Sequence, residues 1–401
     1  MGFILPHKFF NAQYGEALRD IISKGKHLNH IVHFSDQQIF AGATTYTCLL
    51  FLEKKGSEKC KFIQVEDLSE WRTSGQATEG TICAANIAGV EWNFMVGKDA
   101  ALLKKLGKMP AKLGDIAHIF VGTQTSADDI FVLDDCSVER KTVIGFSKSL
   151  NKAVKVEIAC TKLFLRGKEI RRYGPLRANA RLICPYDITE DGCKLFTASE
   201  LSKYPLALAY LEANKIVLMA REGDKFKNEN WYAFGYPKSM HLFQKPKIVV
   251  PDYNNIASFT FDREGHFYKT GYGIIVKYDS LSPLYVLGLL NSPLLFRYLL
   301  SIGTSLRGGY VRFWTQFIQQ LPIRKINFSD PNDKAYHDRM VKLVEQMLDL
   351  HERLPKAKTP HEKEILQRQI DVTDEQINHL VYQLYGLTVA EIKIVEEQNR
   401  R

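Results

Sequence analysis

Chemistry needs side chains of suitable type within reach of one another, and several familiar constellations are missing from these 401 residues. No glycine-rich nucleotide loop follows a strand-like run, no Gly-x-x-x-x-Gly-Lys-Ser/Thr occurs, and no two histidines stand at helical metal spacing. Asp252 followed by Asp262, Arg263 and Glu264 resembles a nuclease carboxylate cluster in outline. Such a cluster needs a lysine two places after the glutamate, where this sequence has His266, so a turn-rich hairpin is the better reading. The sequence therefore predicts no catalytic residue and no metal site. Its seven cysteines stand singly, with no pair two or three apart, which excludes a zinc knuckle pattern and a disulfide framework and predicts reduced, structural thiols.

What the chain does carry is basic and aromatic loops. Residues 163–177, LFLRGKEIRRYGPLR, hold Arg166, Lys168, Arg171, Arg172 and Arg177 against one acid, Glu169, with Gly167, Tyr173 and Gly174 among them. Arginines among glycines can approach phosphates closely, and the guanidinium fork matches the guanine edge in the major groove. A solvated basic surface is the plainer alternative. A second cluster, residues 304–314, places Arg307 and Arg312 beside Gly308, Gly309 and the aromatics Tyr310, Phe313 and Trp314. Paired glycines let backbone amides face an anion, and aromatics stack on bases; a helix stop followed by core aromatics would look the same. The polar run Gly122 to Ser126 adds Gln124, which pairs with adenine, and Thr125, which suits a phosphate or a thymine methyl. An ordinary turn remains open there.

The elements that must position these loops follow from periodicity. Strands are expected at 3–5, 28–34 and 44–52 with a helix at 14–24, its Leu18, Ile21 and Ile22 on one face. Residues 56–110 read as a connector with a short helix at 99–106. Further strands are expected at 113–121, 130–133, 154–158, 247–251, 257–261 and 273–277, and helices at 204–214 and 283–300. In the last seventy residues, Met340, Leu343, Met347, Leu350 and Leu354, then Leu366, Ile370, Thr373, Ile377, Leu380 and Leu384, recur three and four apart. That spacing predicts two long helices packed antiparallel along an apolar seam, broken between Pro355 and Pro360.

Composition sets outer limits. The chain is 45% hydrophobic and 25% charged, as a folded globular protein is, and no apolar run reaches the roughly 18 residues of a bilayer span. A membrane partner is therefore not expected, and the start lacks the apolar centre of a signal peptide, so a cytoplasmic location is expected. Lys plus Arg number 54 and Asp plus Glu 45, a net charge of +9 that permits a polyanionic partner without demanding one.

Taken in order, several of these segments resemble a family. Gly122-Thr123-Gln124-Thr125 with Asp128-Asp129-Ile130-Phe131, the run Arg166 to Tyr173, Lys245 to Pro251, Asn291-Ser292-Pro293, Arg307-Gly308-Gly309-Tyr310 leading to Gln320-Leu321-Pro322-Ile323, and the closing Asp374-Glu375-Gln376-Ile377 with Val381 to Thr388 are similar in order and spacing to target-recognition domains of restriction-modification enzymes. The resemblance spans about 110 to 398 and points to fused adenine-specific DNA methyltransferases: type IIG restriction enzymes, phage-exclusion methyltransferases and the TaqI-like specificity domain. Residues 2–55 resemble the end of their catalytic domain.

The family's S-adenosylmethionine loop and its Asn-Pro-Pro-Tyr/Phe motif occur nowhere here. The resemblance thus implies double-stranded DNA as partner and no cofactor in this chain. S-adenosylmethionine is implied for a catalytic domain or subunit elsewhere, either because the chain is a truncated piece or because the enzyme is naturally split. The expected class is α+β: a partial α/β (Rossmann-like) methyltransferase tail at 1–55, a connector at 56–110, a mixed α+β target-recognition domain at 111–325 and a C-terminal helical hairpin at 326–401 as spacer or docking arm. Expected DNA contacts are Gln124, Thr125, Arg166, Lys168, Arg171, Arg172, Tyr173, Arg307, Gly308, Gly309, Tyr310 and Arg312. A split methyltransferase active only with a catalytic subunit in trans and a helical protein-interaction scaffold are the alternatives.

Overall fold

Five strands of the first hundred residues form one sheet. A computed structural model describes residues 1–42 and 45–399. The strands are β1 (Gly2–Pro6), β2 (Leu28–His33), β3 (Thr47–Leu52), β4 (Lys59–Gln64) and β5 (Thr78–Cys83), in the order β1-β3-β2-β4-β5. Only β2 and β4 run parallel. Of the strand expected at 44–52, residue 44 lies outside the described residues. The expected connector is corrected here, because two of its segments are strands of this sheet. Lys-Cys-Lys-Phe along β4 turns Cys60 and Phe62 inward, whereas β5 is Thr- and Gly-rich and carries little apolar signal.

Several apolar side chains of this unit are exposed. Among the described residues strand β1 pairs with β3 alone, and its Phe3 and Ile4 are 42% and 50% exposed. In the helix Glu16–Lys24, Leu18 and Ile21 face outward while Arg19 and Ile22 are buried. Arg19 meets no acid. Its guanidinium donates to the carbonyls of Phe9 at 2.6 Å, Ala12 at 2.8 Å, Gly89 at 3.0 Å and Val90, satisfying the buried charge with dipoles and tying residues 89–90 to the helix. Trp92, with its backbone N–H on Phe10 O at 2.8 Å, completes the core there.

The chain forms two compact units that do not follow the expected sequence boundaries. One comprises residues 1–110, 293–312 and 385–401; the other comprises 111–292 and 313–384. The second unit is mixed α+β. A four-stranded antiparallel sheet runs Thr260–Asp262, Lys247–Val250, Tyr272–Val276, Ala117–Val121, and a six-stranded sheet runs Phe267–Tyr268, Thr161–Leu165, Ala180–Ile183, Val132–Glu139, Thr142–Ser147, Lys152–Glu157. Leu113–Ile116 and Asp128–Phe131 are helical turns where strand was expected, each leading into a strand. The apolar run expected as one helix at 283–300 is two, Pro283–Leu290 and Pro293–Ile302, interrupted at Asn291 and Ser292.

The helices Pro331–Arg353 and Pro360–Leu384 fold back on each other. Met340, Leu343, Met347 and Leu350 are buried with Leu366, Ile370, Ile377 and Leu380, and Gln346 donates to Thr373 across the seam at 3.2 Å. They belong to the second unit, so the expected separate arm is corrected as well. Among the described residues no single helix is long and apolar enough to cross a membrane.

Candidate nucleic-acid interface

The strand Thr161–Leu165 runs out of the six-stranded sheet directly into the basic loop, so a buried apolar strand sets where Arg166 begins. Glu169, the loop's only acid, accepts the backbone N–H of Arg166 at 2.7 Å and closes a helical turn over Gly167–Glu169. The loop's cations then separate by partner. Arg166, a third exposed, donates to Asp134, which also holds Lys148 at 3.5 Å. Arg172 pairs with Asp374 at 2.5 Å and donates to Asn291 O at 3.1 Å. Arg177 lies 3.5 Å from Glu352. Lys168 and Arg171 are exposed and have no ion-pair partner among the described residues.

The polar run 122–126 is brought beside this loop. Gly122 passes so close to the 268–269 backbone that a Cβ would meet Lys269 O at 2.1 Å, which explains glycine there. Thr123 N–H donates to Tyr268 O at 2.9 Å, and Lys269 pairs with Asp128. A groove of about 450 Å³ runs along Tyr173, Gly174 and the helix residues Glu345 and Asp349, while a smaller one of about 250 Å³ joins Asp128, Lys148, Arg166, Gly167, Lys269 and Thr270. The smaller groove thus unites segments around Asp128, Lys148, Arg166 and Lys269, the first and last of them 141 residues apart in sequence.

Buried Arg221 donates to Thr125 O and Trp231 O, each at 2.8 Å, and Tyr236 N–H donates to Gln124 O at 3.0 Å. These bonds immobilise the backbone of the run and leave the Gln124 side chain exposed.

Two expected contacts are corrected by burial. Thr125 is 1% exposed, and its hydroxyl donates to Asp128 at 2.6 Å and accepts from Ala127 N–H at 3.1 Å, the bonds of a local turn. Tyr173 is fully buried, its ring 6.2 Å from that of His351 and its phenol pushed above its usual pKa by burial. Lys148, Lys269 and Asp134 were missed by sequence reasoning, because a lone charged residue on a strand or turn carries no pattern that marks its partner.

The second basic cluster lies in the other unit. Ser305–Leu306 and Tyr310–Arg312 form a hairpin whose tip, Gly308 and Gly309, takes φ of +84° and +76°. A Cβ on Gly309 would meet nothing within 4 Å, so backbone conformation and not crowding calls for glycine. Arg307 is exposed; its backbone N–H donates to Tyr46 Oη at 3.0 Å and its guanidinium reaches Gln38 at 3.5 Å. Tyr310 is 37% exposed and Arg312 is half-buried.

The remaining reactive groups are quiet. Lys247, Asp262 and His266 form a buried cluster: the ammonium lies 2.5 Å from the carboxylate, and the imidazole 2.8 Å from it. Asp262 also accepts the N–H groups of Glu264, Gly265 and His266, so the apparent carboxylate motif closes a turn. Burial pushes the thiols of Cys48, Cys60, Cys160 and Cys184 up to about 12. Among the described residues no group of three His, Cys, Asp or Glu is placed to hold a metal.

Comparison with known proteins assigns a class to this arrangement. Residues 162–323, which include both basic segments, match the TaqI-like C-terminal specificity domain, and residues 1–40 match the Eco57I restriction-modification methylase. Over these segments the chain is similar to type II restriction-modification methyltransferases.

It is 24% identical to the type II restriction enzyme and methyltransferase RM.Eco57I of Escherichia coli, over 99% of this chain and 42% of that protein. It is also 24% identical to the type II methyltransferase M.XhoI of Xanthomonas vasicola, over 98% of this chain and 66% of the relative. The chain thus spans less than half of the first and about two thirds of the second. Its fold is similar to that of the type IIL restriction-modification enzyme MmeI, solved in complex with DNA, with a TM-score of 0.57 and 13% identity over 100% of this chain and 49% of that one.

Proposed function

We propose that this chain reads a short sequence in double-stranded DNA, as the specificity part of an adenine-specific restriction-modification methyltransferase. The observation that carries the reading is that the segment matching a specificity domain holds a rigidly based loop whose Lys168 and Arg171 are left without an ionic partner. Such cations displace counterions from phosphates, and Arg171 has the fork geometry for a guanine edge. Gln124, on its immobilised backbone, suits the adenine edge. Arg166, Lys148 and Lys269 around the smaller groove are balanced by Asp134 and Asp128, so they shape its wall without adding net positive charge. In the other unit, Arg307, Gly308, Gly309, Tyr310 and Arg312 supply a second contact region on a hairpin whose tip has room for a close phosphate.

S-adenosylmethionine belongs to the methyl transfer of such enzymes, but the residues present do not fit it. The turns after β1 to β5 contain no Gly-x-Gly cradle, and no Asn-Pro-Pro motif occurs. Cofactor and catalytic machinery are supplied from outside these 401 residues, by a catalytic domain or subunit, in a cytoplasmic setting.

Random-site selection with the full chain tests the reading. One short site should be enriched, and log affinity should fall linearly with log salt at about 0.9 per phosphate contacted. Absence of any enriched site, or binding indifferent to salt, would overturn it.

A further inference from the structure

Adjacent arginines in the basic loop have opposite environments. Arg171 is exposed without an ionic partner among the described residues, whereas Arg172 is held at three points: Asp374 at 2.5 Å, Asn291 O at 3.1 Å, and the Tyr173 ring, whose centroid lies 5.1 Å from the guanidinium carbon. The next residue, Tyr173, adopts a left-handed backbone with φ of +53°, which an aromatic side chain takes only when its surroundings impose it. Those surroundings are visible. Tyr173 N–H donates to Phe259 O at 2.9 Å, the Thr260 hydroxyl donates to Gly174 O at 2.8 Å, and the Asn291 amide brackets Phe259 by accepting its N–H at 3.0 Å and donating to its carbonyl at 2.9 Å.

Four separate motifs therefore meet in one network: the arginine-tyrosine-glycine turn, the strand start at Thr260, the break at Asn291 and the carboxylate at Asp374. Asp374 sits on the helix Pro360–Leu384, some 200 residues beyond its partner.

We infer that Arg172 and Asp374 are positioning residues for DNA reading, and that the C-terminal helix pair is the brace that sets the angle at which Lys168 and Arg171 meet the duplex. The inference rests on the DNA reading above and adds a division of labour to it. Arg171 is the contact and Arg172 is the anchor, with its charge compensated inside the protein. An ion pair of this kind, partly shielded and reinforced by a carbonyl and an aromatic face, holds geometry. Loss of geometry harms base discrimination, which depends on angle and distance. The number of phosphates neutralised is unaffected, because no DNA-facing charge is removed.

The test measures affinity of the full chain for its selected site and for a scrambled duplex across a salt series. Asp374→Asn should reduce the ratio of the two affinities by about tenfold and leave the salt slope unchanged. Arg171→Ala should instead weaken binding to both duplexes and lower the slope by about one. Asp374→Glu, which keeps the charge with longer reach, should show a smaller loss of discrimination, and it stands in should Asp374→Asn fail to fold by thermal melting. The exchange Arg172→Asp with Asp374→Arg should recover discrimination relative to either single change. The inference is overturned by a folded Asp374 variant that discriminates as the parent does, or by a folded Arg172→Gln variant that lowers the salt slope as Arg171→Ala does, since Arg172 would then neutralise a phosphate itself. A parent chain that prefers no duplex overturns the DNA reading and this inference together. A discriminating parent with indifferent Asp374 variants overturns this inference alone.

Discussion

The loop around Arg172 and the hairpin around Arg307 place arginines beside glycines and aromatics by different means. In the loop, carboxylates from distant elements hold Arg166 and Arg172, and exposed positive charge is confined to neighbours such as Arg171. In the hairpin, two left-handed glycines make the turn, and the Arg307 side chain reaches a neutral glutamine. Compensation inside the protein thus decides which cations remain for a polyanion, and a count of arginines overstates the binding surface. The contrast extends to the cores of the two units. The second unit buries a charged cluster, Lys247 with Asp262 and His266, whereas the first stacks two imidazoles, His7 and His33, at 4.2 Å.

The largest test of that contrast is Lys247→Ala. It leaves Asp262 charged, buried and short of its ammonium partner, and should cost about 3–5 kcal/mol of stability in chemical denaturation, with hydrogen exchange accelerated in residues of the second unit. A cost below about 1 kcal/mol would mean that the cluster is not a compensated charge.

Acid should separate the units next. Burial, with the nearby His7, pulls the His33 pKa down to about 3, while its Nδ1 accepts the Ser35 N–H at 3.1 Å. The unfolded chain takes up this proton near pH 6.5 and the folded chain does not, so stability falls as pH drops below about 6.5, by up to about 1.4 kcal/mol per pH unit for this group. Burial opposes the charge of Asp262, but the His266 bond and Lys247 outweigh it and hold the carboxyl below its usual range. Its contribution is therefore present above the unfolded carboxylate pKa of about 3.9 and lost as pH falls through the lower folded value. Exchange measured from pH 7 to 4 should show opening of residues around β2 first. His33→Phe should reduce that sensitivity; an unchanged profile would refute the assignment to His33.

The smallest expected effect concerns the hairpin. Arg307→Ala should lower the salt slope of DNA binding by no more than about one, without changing the ratio between selected and scrambled duplexes. A loss of discrimination equal to that of Asp374→Asn would make the hairpin a second base reader and erase the distinction drawn between the two regions.

Much of the fold was legible where burial imposes a period. The seam from Met340 to Leu380 and the strands at 154–158, 247–251 and 273–277 appear within a few residues of their expected bounds. The pairing of β1 with β3 was not legible, because an apolar run such as Phe3-Ile4-Leu5 does not name its neighbour. Nor was the role of β5, whose Thr and Gly residues pair through backbone groups that leave no apolar trace. In the candidate site, the residue types of the basic loop were visible, and the corrections at Thr125 and Tyr173 came from burial, which no local pattern reports.

By itself the sequence determined which segments bend, which carry positive charge and which long helices share an apolar seam, since turn chemistry and periodicity act over a few neighbouring residues. Only the tertiary structure decided that Arg172 faces Asp374 while Arg171 faces outward, and that a chain segment between two helical breaks joins the unit of the first hundred residues. An ion pair depends on distance in space, and distance in space between residues 200 apart is set by the whole packing of the unit.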